Sequence, residues 1–334
     1  MIRLGIIGAG RIGRVHAHSI SQYMGNASIK AIADPFMNEE TKQWAASLGI
    51  QHCYTEAEHI FADREIDAVL ICSSTNTHAP LSVQAIEAGK HVFCEKPISQ
   101  DPAEIEKVVE ALEKNPVKYQ VGFNRRFDHN FRAVRTAVLS GKIGDVHIVK
   151  ITSRDPAPPP VSYIKVSGGL FLDMTIHDFD MARYLTGSEV KKVYVDAASL
   201  VDPEIGKAGD VDTAIITLTM ESGALVVIDN SRSAAYGYDQ RAEVFGSKGQ
   251  VATGNDTLST AVVSDADGVH GEKPLYFFLE RYMQSFTNEM QDFVKAIETG
   301  ANVPVGIQDG LQATLVGLAA GESLRQGAPV WVNK

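Results

Sequence analysis

A short apolar segment runs directly into a glycine-rich turn at the start of the chain, and this feature constrains the fold most. Leu4-Gly5-Ile6-Ile7 predicts a buried strand, and Gly8-Ala9-Gly10-Arg11-Ile12-Gly13 follows it with the spacing GxGxxG. Gly8 permits a tight turn, Gly10 lets the backbone approach a pyrophosphate, and Gly13 allows close helix packing. GxGxxG alone is weak evidence, but its place between a predicted strand and a predicted helix favours a dinucleotide-binding turn.

Apolar segments alternate with helical segments over the first 122 residues. Further strands are predicted at 29–33, 67–72, 91–94 and 117–122, with helices at about 12–23, through 44–48 and at 78–88. Strands without polar alternation that are separated by helices indicate a parallel sheet buried on both faces. Because such crossovers are right-handed, we predict an α/β, doubly wound Rossmann domain over residues 1–122.

The remainder, residues 123–334, has a different pattern and is predicted to be a second domain. Its β-rich segments lie at 146–153, 190–199, 213–220, 224–231 and 240–245, with helices at about 169–185 and 282–298. Several of these segments alternate in polarity, which favours an antiparallel sheet with one exposed face. The proline-rich segment 155–160 must be an extended loop, either a surface connector or a border of the active site.

Charge and composition exclude several classes of protein. The 334 residues include 31 Lys and Arg against 41 Asp and Glu, a net charge of −10 that disfavours a nucleic-acid binder. No apolar run approaches the roughly 18 residues of a membrane span, and the N-terminus does not resemble a signal peptide. Three separate cysteines argue against a disulfide scaffold or a cysteine-rich zinc site. We expect a soluble, cytoplasmic protein.

Candidate cofactor contacts follow the predicted strands. Asp34 ends the second strand about 20 residues after the glycine loop, where an acid accepts hydrogen bonds from an adenosine ribose. A carboxylate there repels a 2′-phosphate, so NAD is favoured over NADP; the alternative is that Asp34 only forms a turn. Ser73, Thr75, Asn76 and His78 follow the third strand and are predicted to line the nicotinamide side. For His78 the sequence favours a structural hydrogen bond over catalysis.

Two further groups of residues carry the chemistry. Glu95-Lys96 precedes Pro97 at the end of the fourth strand, where a cation could stabilise a developing alkoxide, although such a pair is usually a solvated surface pair. Asp173 and His177 are four residues apart in a predicted helix, so they share one face. A carboxylate beside an imidazole suits a general base. A structural hydrogen bond or a metal site is the alternative, and metal is the weaker one because no second histidine lies at ligand spacing.

Together these segments resemble the Gfo/Idh/MocA family of nicotinamide-dependent sugar and cyclitol oxidoreductases, over essentially the whole chain. The resemblance depends on residues 8–13, on 88–97 with its Glu-Lys-Pro, and on 173–178 with its Asp-x-x-x-His-Asp. Softer signals at 122–128, 153–156 and 236–240 favour the branch that oxidises inositols. Many family members have a proline where this chain has Ser74-Thr75-Asn76, which leaves the nicotinamide contacts of this loop open.

The resemblance implies a function for each matching position. It makes Lys96, Asp173 and His177 catalytic, and it places the same three residues in the polyol pocket. The other pocket residues that it implies are Arg126, Asp155 and Tyr236, and the cofactor contacts are Gly8, Gly10, Arg11, Ile12, Gly13, Asp34, Ser73, Thr75, Asn76, His78, Glu95 and Lys96. It also implies an α/β second domain with a large open, mainly antiparallel sheet. That sheet face is usually buried between subunits, so a homo-oligomer, often a tetramer, is expected.

We therefore predict oxidation of one secondary hydroxyl of myo-inositol to 2-keto-myo-inositol, with hydride transfer to NAD⁺ and no metal. His177 acts as the base, Asp173 orients it, and Lys96 holds the reacting oxygen. The alternatives are the same chemistry on scyllo-inositol or on a pyranose such as glucose. A non-catalytic NAD-binding sensor is disfavoured, because both Lys96 and His177 are present.

Overall fold

The computed structural model describes residues Met1–Val332. The strands are β1 (Ile2–Ile7), β2 (Ala27–Ala33), β3 (His52–Tyr54), β4 (Ala68–Ile71), β5 (His91–Glu95), β6 (Tyr119–Gly122), β7 (Val146–Arg154), β8 (Val190–Ala198), β9 (Thr213–Met220), β10 (Leu225–Ser231), β11 (Asp239–Gly246), β12 (Gly249–Thr253), β13 (Val262–Asp265), β14 (Gly268–Gly271) and β15 (Val330–Trp331). The helices are α1 (Arg11–Tyr23), α2 (Glu39–Ser47), α3 (Glu58–Ala62), α4 (Thr75–Glu87), α5 (Pro102–Lys114), α6 (His129–Leu139), α7 (Val161–Ser167), α8 (Gly169–Asp173), α9 (Ile176–Thr186), α10 (Pro203–Lys207), α11 (Phe278–Arg281), α12 (Met283–Thr299) and α13 (Ile307–Gln326). A short 3₁₀ helix covers Asn124–Phe127.

The first sheet contains six parallel strands in the order β3-β2-β1-β4-β5-β6. Its central strands are buried on both faces, and all four residues of β4 are inaccessible to solvent. The order reverses between β1 and β4, which is the switch point where ligands bind in such sheets. The predicted doubly wound domain is therefore confirmed.

The first compact unit, unit 1, contains Met1–Phe127 and also Gln284–Thr314. Most of α12 thus belongs with the first sheet, whereas the sequence-based division at residue 122 assigned it to the second domain. The reason is hydrophobic: Met290, Phe293 and Val294 are fully buried in the core that also contains Leu4 and Phe93. An amphipathic helix belongs to the layer that buries its apolar face, whatever its distance along the chain.

Unit 2 contains Asp128–Met283 and the chain from Leu315 onward. Its sheet has seven strands in the order β12-β11-β7-β10-β9-β8-β15. Within the described part of this sheet, β7 and β10 are the one parallel pair. Along β9, the side chains of Ala214, Ile216, Leu218 and Met220 are buried, while those between them are more exposed. The predicted mainly antiparallel sheet with one exposed face is confirmed.

One predicted helix is wrong. The segment 169–185 forms two helices, because α8 ends at Asp173 and α9 begins at Ile176. At the junction, the Thr175 N–H donates to Leu170 O five residues earlier, and the His177 N–H donates to Met174 O. The i, i+4 argument that placed Asp173 and His177 on one helical face therefore does not apply. None of the helices described combines the length and apolar character needed to cross a bilayer.

Candidate active site

The glycine loop of unit 1 connects β1 to α1 as its spacing predicts. Gly8 has φ +103°, and a Cβ there would lie 2.6 Å from the Cys72 backbone. A Cβ on Gly13 would lie 2.0 Å from Gly8 O. Both positions therefore require glycine for the fold of the loop itself.

Gly10 differs, because a Cβ there would meet no described protein atom within 4 Å. Its φ of −73° is also accessible to any residue. The packing of the chain thus gives no reason for glycine, whereas close approach of a pyrophosphate does. The first turn of α1 has no side-chain cap and no acidic residue, so its amides suit an anion. The loop therefore fits a dinucleotide.

Asp34 follows β2 and lies against the same loop. Its carboxylate accepts the Ala9 N–H at 2.7 Å through one oxygen and the Phe36 N–H at 2.8 Å through the other. Asp34 is therefore more than a turn residue, since it fixes the glycine loop. A carboxylate has about four acceptor positions, so two hydrogen bonds leave capacity for a ribose diol.

Lys96 lies immediately after β5, at the carboxyl edge of the first sheet, and its peptide bond to Pro97 is cis. The side chain of Glu95, next to it, is largely buried and contacts the His16 Nε2 atom at 2.8 Å. The Lys96 N–H donates to Glu95 Oε2 at 3.3 Å. Lys96 is therefore in a partly buried and ordered segment, which argues against a solvated surface pair.

His78 is buried in α4, where its two ring nitrogens lie 2.8 Å from Pro97 O and 3.0 Å from Ser73 O. Carbonyl oxygens only accept, so both nitrogens must donate and the ring must be an imidazolium. Burial lowers the pKa of His78, but the neighbouring Cys94 and the two carbonyls outweigh it and raise the pKa to about 9. The side chain thus joins the loop after β4 to the Lys96-Pro97 segment, as a structural hydrogen bond would.

The other predicted residues after β4 do not all lie in a loop. Thr75 and Asn76 lie in the first turn of α4, which starts three residues earlier than expected. Ser73 and Thr77 join their hydroxyls at 2.7 Å, and the Thr77 hydroxyl also donates to Ser74 O. These hydroxyls connect the loop after β4 to the first turn of α4.

In unit 2, Asp173 lies at the last position of α8 with its carboxylate between two side chains. The Tyr163 hydroxyl donates to one carboxylate oxygen at 3.0 Å, and the Arg232 guanidinium donates to the other at 3.4 Å. The residue Arg232 is only 1% exposed. Asp155 lies 3.9 Å from the same guanidinium. One buried cation therefore brings together Asp155 and Asp173, two of the predicted pocket residues.

The junction that carries His177 is fixed by a second hydrogen-bond network, centred on Asn230. The Thr175 hydroxyl donates to Asn230 Oδ1 at 2.6 Å, and Asn230 Nδ2 donates to Asp178 Oδ2 at 3.0 Å and to Ser153 O at 3.2 Å. All four residues are buried. Thr175 precedes His177 in the chain and Asp178 follows it, and both are hydrogen-bonded to Asn230 of β10. The backbone that carries the imidazole is therefore rigid.

The predicted pocket residues Tyr236 and Arg126 contact other side chains. The Tyr236 hydroxyl donates to Asp239 at 2.6 Å and accepts from Arg154 at 3.1 Å. Burial and the Asp239 hydrogen bond raise the pKa of Tyr236. Arg126 belongs to unit 1, where it pairs with Asp309 at 2.9 Å. The structure thus links Asp155 to Asp173 through Arg232, while Tyr236 belongs to an Arg154–Asp239 network.

Sequence reasoning missed Arg232, Tyr163 and Asn230. A signal for Arg232 and Asn230 was available, since Asn230-Ser231-Arg232-Ser233 is a polar run where the alternating strand β10 ends. Tyr163 follows the proline-rich segment, which the sequence placed either on the surface or beside the active site. Its contact with Asp173 favours the second interpretation.

Comparison with known proteins covers most of both units. The model of an oxidoreductase family with an NAD-binding Rossmann fold matches residues 2–123, and that of the GFO/IDH/MocA C-terminal domain matches residues 131–252. The myo-inositol 2-dehydrogenase of Thermotoga maritima is 50% identical over 325 residues, 97% of each chain. The inositol 2-dehydrogenase of Rhizobium meliloti is 46% identical over 328 residues, also 97% of each.

Solved structures extend the similarity to the fold. A probable dehydrogenase from Thermotoga maritima superposes with a TM-score of 0.97 at 49% identity, over 99% of both chains. A scyllo-inositol dehydrogenase from Lactobacillus casei, solved with NAD(H) and scyllo-inositol, superposes with a TM-score of 0.92 at 33% identity, again over 99% of both chains.

Proposed function

The chain belongs to the Gfo/Idh/MocA family of NAD-dependent oxidoreductases, and we propose that it oxidises one secondary hydroxyl of myo-inositol to 2-keto-myo-inositol. The observation that carries this substrate is the 50% identity, over 97% of both chains, to a myo-inositol 2-dehydrogenase. The sequence signals for the inositol branch support the same choice.

The proposed roles divide the chemistry among the cofactor and three side chains. Bound NAD⁺ supplies the hydride acceptor. His177 accepts the proton of the reacting hydroxyl, and the rigid junction around Thr175 supports its orientation. Asp173 stabilises the protonated imidazole, while Lys96 offsets the negative charge that develops on the substrate oxygen.

Arg232 has a supporting role in this proposal. A carboxylate that stabilises an imidazolium must not turn away from it. The buried guanidinium lies 3.4 Å from one Asp173 oxygen, and the Tyr163 hydroxyl donates to the other at 3.0 Å. Asp173 is therefore held in one orientation, which is what its proposed role requires.

The test is NAD⁺ reduction by the purified protein across myo-inositol, scyllo-inositol, other inositol isomers, glucose and further aldoses. We expect the highest kcat/KM with myo-inositol. A higher kcat/KM with scyllo-inositol or glucose would show that this compound, and not myo-inositol, is the substrate. NAD(H) binding without turnover of any polyol would instead support a sensor.

We further propose a homotetramer that buries the outer face of the unit 2 sheet. Ile148, Leu225 and Phe245 are adjacent there across three strands, and they are 37–52% exposed. Val227 and Ile215 extend this apolar face along β10 and β9. Such a patch is typical of an interaction surface. Light scattering should give four times the mass of the chain, and Leu225→Arg should lower it.

A cytoplasmic location is part of the same proposal. The reaction draws on NAD⁺, and Cys53, Cys72 and Cys94 are free thiols in the structure. Fractionation of the source cell would test this location.

A further inference from the structure

Unit 1 contains a buried cluster of three ionisable side chains, one of which belongs to Glu95, the residue before Lys96. His16 comes from α1, Glu95 from the end of β5, and Glu289 from α12. One ligand-type atom of each lies within 4.8 Å of the others. The side chains of His16 and Glu289 are fully inaccessible, while that of Glu95 is 12% exposed.

The cluster is asymmetric, and the asymmetry shows how its protons are arranged. His16 Nε2 is 2.8 Å from Glu95 Oε1 but 3.9 Å from Glu289 Oε1. The single Nε2–H therefore donates to Glu95. Neither oxygen of Glu289 has a hydrogen-bond partner among the residues described. A charged carboxylate in that situation is far more costly than a neutral one.

The groups that face Glu289 favour the neutral acid. They are His16 from α1, Glu95 from β5 and the Cys72 thiol after β4. His16 Nε2, 3.9 Å from Glu289, already donates its hydrogen to Glu95, and neither Glu95 nor Cys72 carries a positive charge. Burial, and then the charge of Glu95, raise the pKa of Glu289 well above its ordinary value of 4.5.

The rest of the cluster is built to hold Glu95 in one place. The His16 ring is packed edge-on against Phe93 and Phe286, with ring centroids at 5.0 and 5.7 Å. Gly122 is the register partner of Glu95 on β6, and a Cβ there would lie 2.9 Å from Glu95 Oε2. Glycine at this position therefore makes room for the carboxylate. The same oxygen accepts the Lys96 N–H.

We propose that Glu289 is a positioning residue for Lys96: as an uncharged acid beside His16, it preserves the His16–Glu95 hydrogen bond and thereby the Lys96 backbone. This inference rests on the proposed catalytic role of Lys96. Ionised Glu289 would compete with Glu95 for the one imidazole N–H and repel it. Displacing the Glu95 carboxylate would release the Lys96 N–H.

Two measurements test the charge and the coupling without any substrate. Infrared difference spectra between the wild type and Glu289→Gln should show the carbonyl stretch of a protonated carboxylic acid at neutral pH. The ¹⁵N-lysine amide signal of Lys96, assigned by its loss in Lys96→Arg, should shift through an alkaline transition that Glu289→Gln abolishes. Absence of the carboxylic acid signal, or persistence of the transition in Glu289→Gln, would overturn the proposal.

Turnover then tests positioning. Glu289→Ala should lower kcat by about 10-fold, since small displacements of a reacting group cost up to about 100-fold, with little change in NADH affinity. Glu289→Gln should restore kcat at neutral pH and flatten its alkaline decline. Ser19→Ala, which removes another buried polar group from α1, is the matched control and should leave kcat unchanged.

Equal kcat in Glu289→Ala and wild type would reduce the cluster to a structural role and contradict the proposal. Stoichiometric retention of a divalent metal that Glu289→Gln abolishes would also contradict it, because the cluster would then be a metal site. Lack of turnover by the wild type on every polyol would count against the proposed function instead, while the infrared and amide results would still decide the charge and the coupling.

Discussion

The polar groups of the two units are held in place in different ways. In unit 1, the Asp34 carboxylate and the His78 ring bind backbone amides and carbonyls of the loops at the strand ends. In unit 2, Asp173 is held by the side chains of Tyr163 and Arg232, and Arg232 lies 59 residues further along the chain.

This difference predicts how separable function and stability are. A side chain that follows a strand and whose backbone is fixed by a neighbouring residue, as that of Lys96 is by Glu95, can be replaced with little effect on the fold. A carboxylate held by a buried cation cannot, because removing either partner leaves the other charge uncompensated. Activity and stability should therefore be separable at Lys96 and coupled at Arg232.

The largest expected effect is that of Arg232→Met. Loss of the buried guanidinium removes the cation that Asp173 and Asp155 share, which should cost about 3 kcal/mol of unfolding free energy. This is the low end for a buried pair, because both carboxylates are partly exposed to solvent. Turnover should fall as well. Urea unfolding measures the stability, and the exposed Lys207→Met, whose pair with Glu204 is solvated, should change it by under about 1 kcal/mol. Equal unfolding free energies of Arg232→Met and the wild type would contradict the predicted coupling of activity and stability at Arg232.

Lys96→Met should show the opposite behaviour. It keeps the side-chain length and removes the charge that we propose lies at the reacting oxygen, which should lower kcat by about 100-fold or more. The melting temperature and the NADH affinity should stay close to those of the wild type, since the glycine loop and the β5 packing are untouched. Near-normal turnover would support the alternative that Glu95-Lys96 is only a solvated surface pair. A large drop in melting temperature would show that activity and stability are coupled at Lys96 as well as at Arg232.

Cofactor choice tests Asp34. We expect NAD⁺ to be preferred over NADP⁺ by at least about 100-fold in kcat/KM, because the carboxylate would face a phosphate of like charge. Asp34→Asn tests the charge more selectively than Asp34→Ser does, because the amide oxygen of asparagine can still accept the Ala9 or the Phe36 N–H. The Asn variant should lower the ratio of kcat/KM with NAD⁺ to kcat/KM with NADP⁺ by about 10-fold. Equal use of both cofactors by the wild type would show that Asp34 serves the loop alone.

A further expected effect is a pH slope of stability due to His78. Its pKa is about 9 in the folded protein against an ordinary 6.5, so the folded state binds the proton more tightly. Its contribution is complete below pH 6.5 and is lost as the pH rises towards 9. Melting temperatures across this range should therefore fall less steeply in His78→Gln than in the wild type, with the exposed His18→Gln as control. The same slope in His78→Gln would contradict an imidazolium at this position.

The same contrast explains what the sequence could predict. The glycine loop, Asp34 and Glu95-Lys96 are local patterns at strand ends, so the parallel sheet and its loops followed from periodicity and spacing. The break between α8 and α9 did not, because it depends on the Thr175–Asn230 hydrogen bond between residues 55 positions apart. The placement of α12 and the Arg232 contacts are likewise long-range consequences of packing.

The most direct test of the central claim uses myo-inositol deuterated at the carbon that is oxidised. We predict that the purified protein transfers this deuterium to NAD⁺, so that one deuterated NADH forms for each 2-keto-myo-inositol. Lys96→Met should slow the transfer while still binding NADH. If ketone forms without deuterium in NADH, or if myo-inositol yields neither product at saturating NAD⁺, the proposed reaction is wrong.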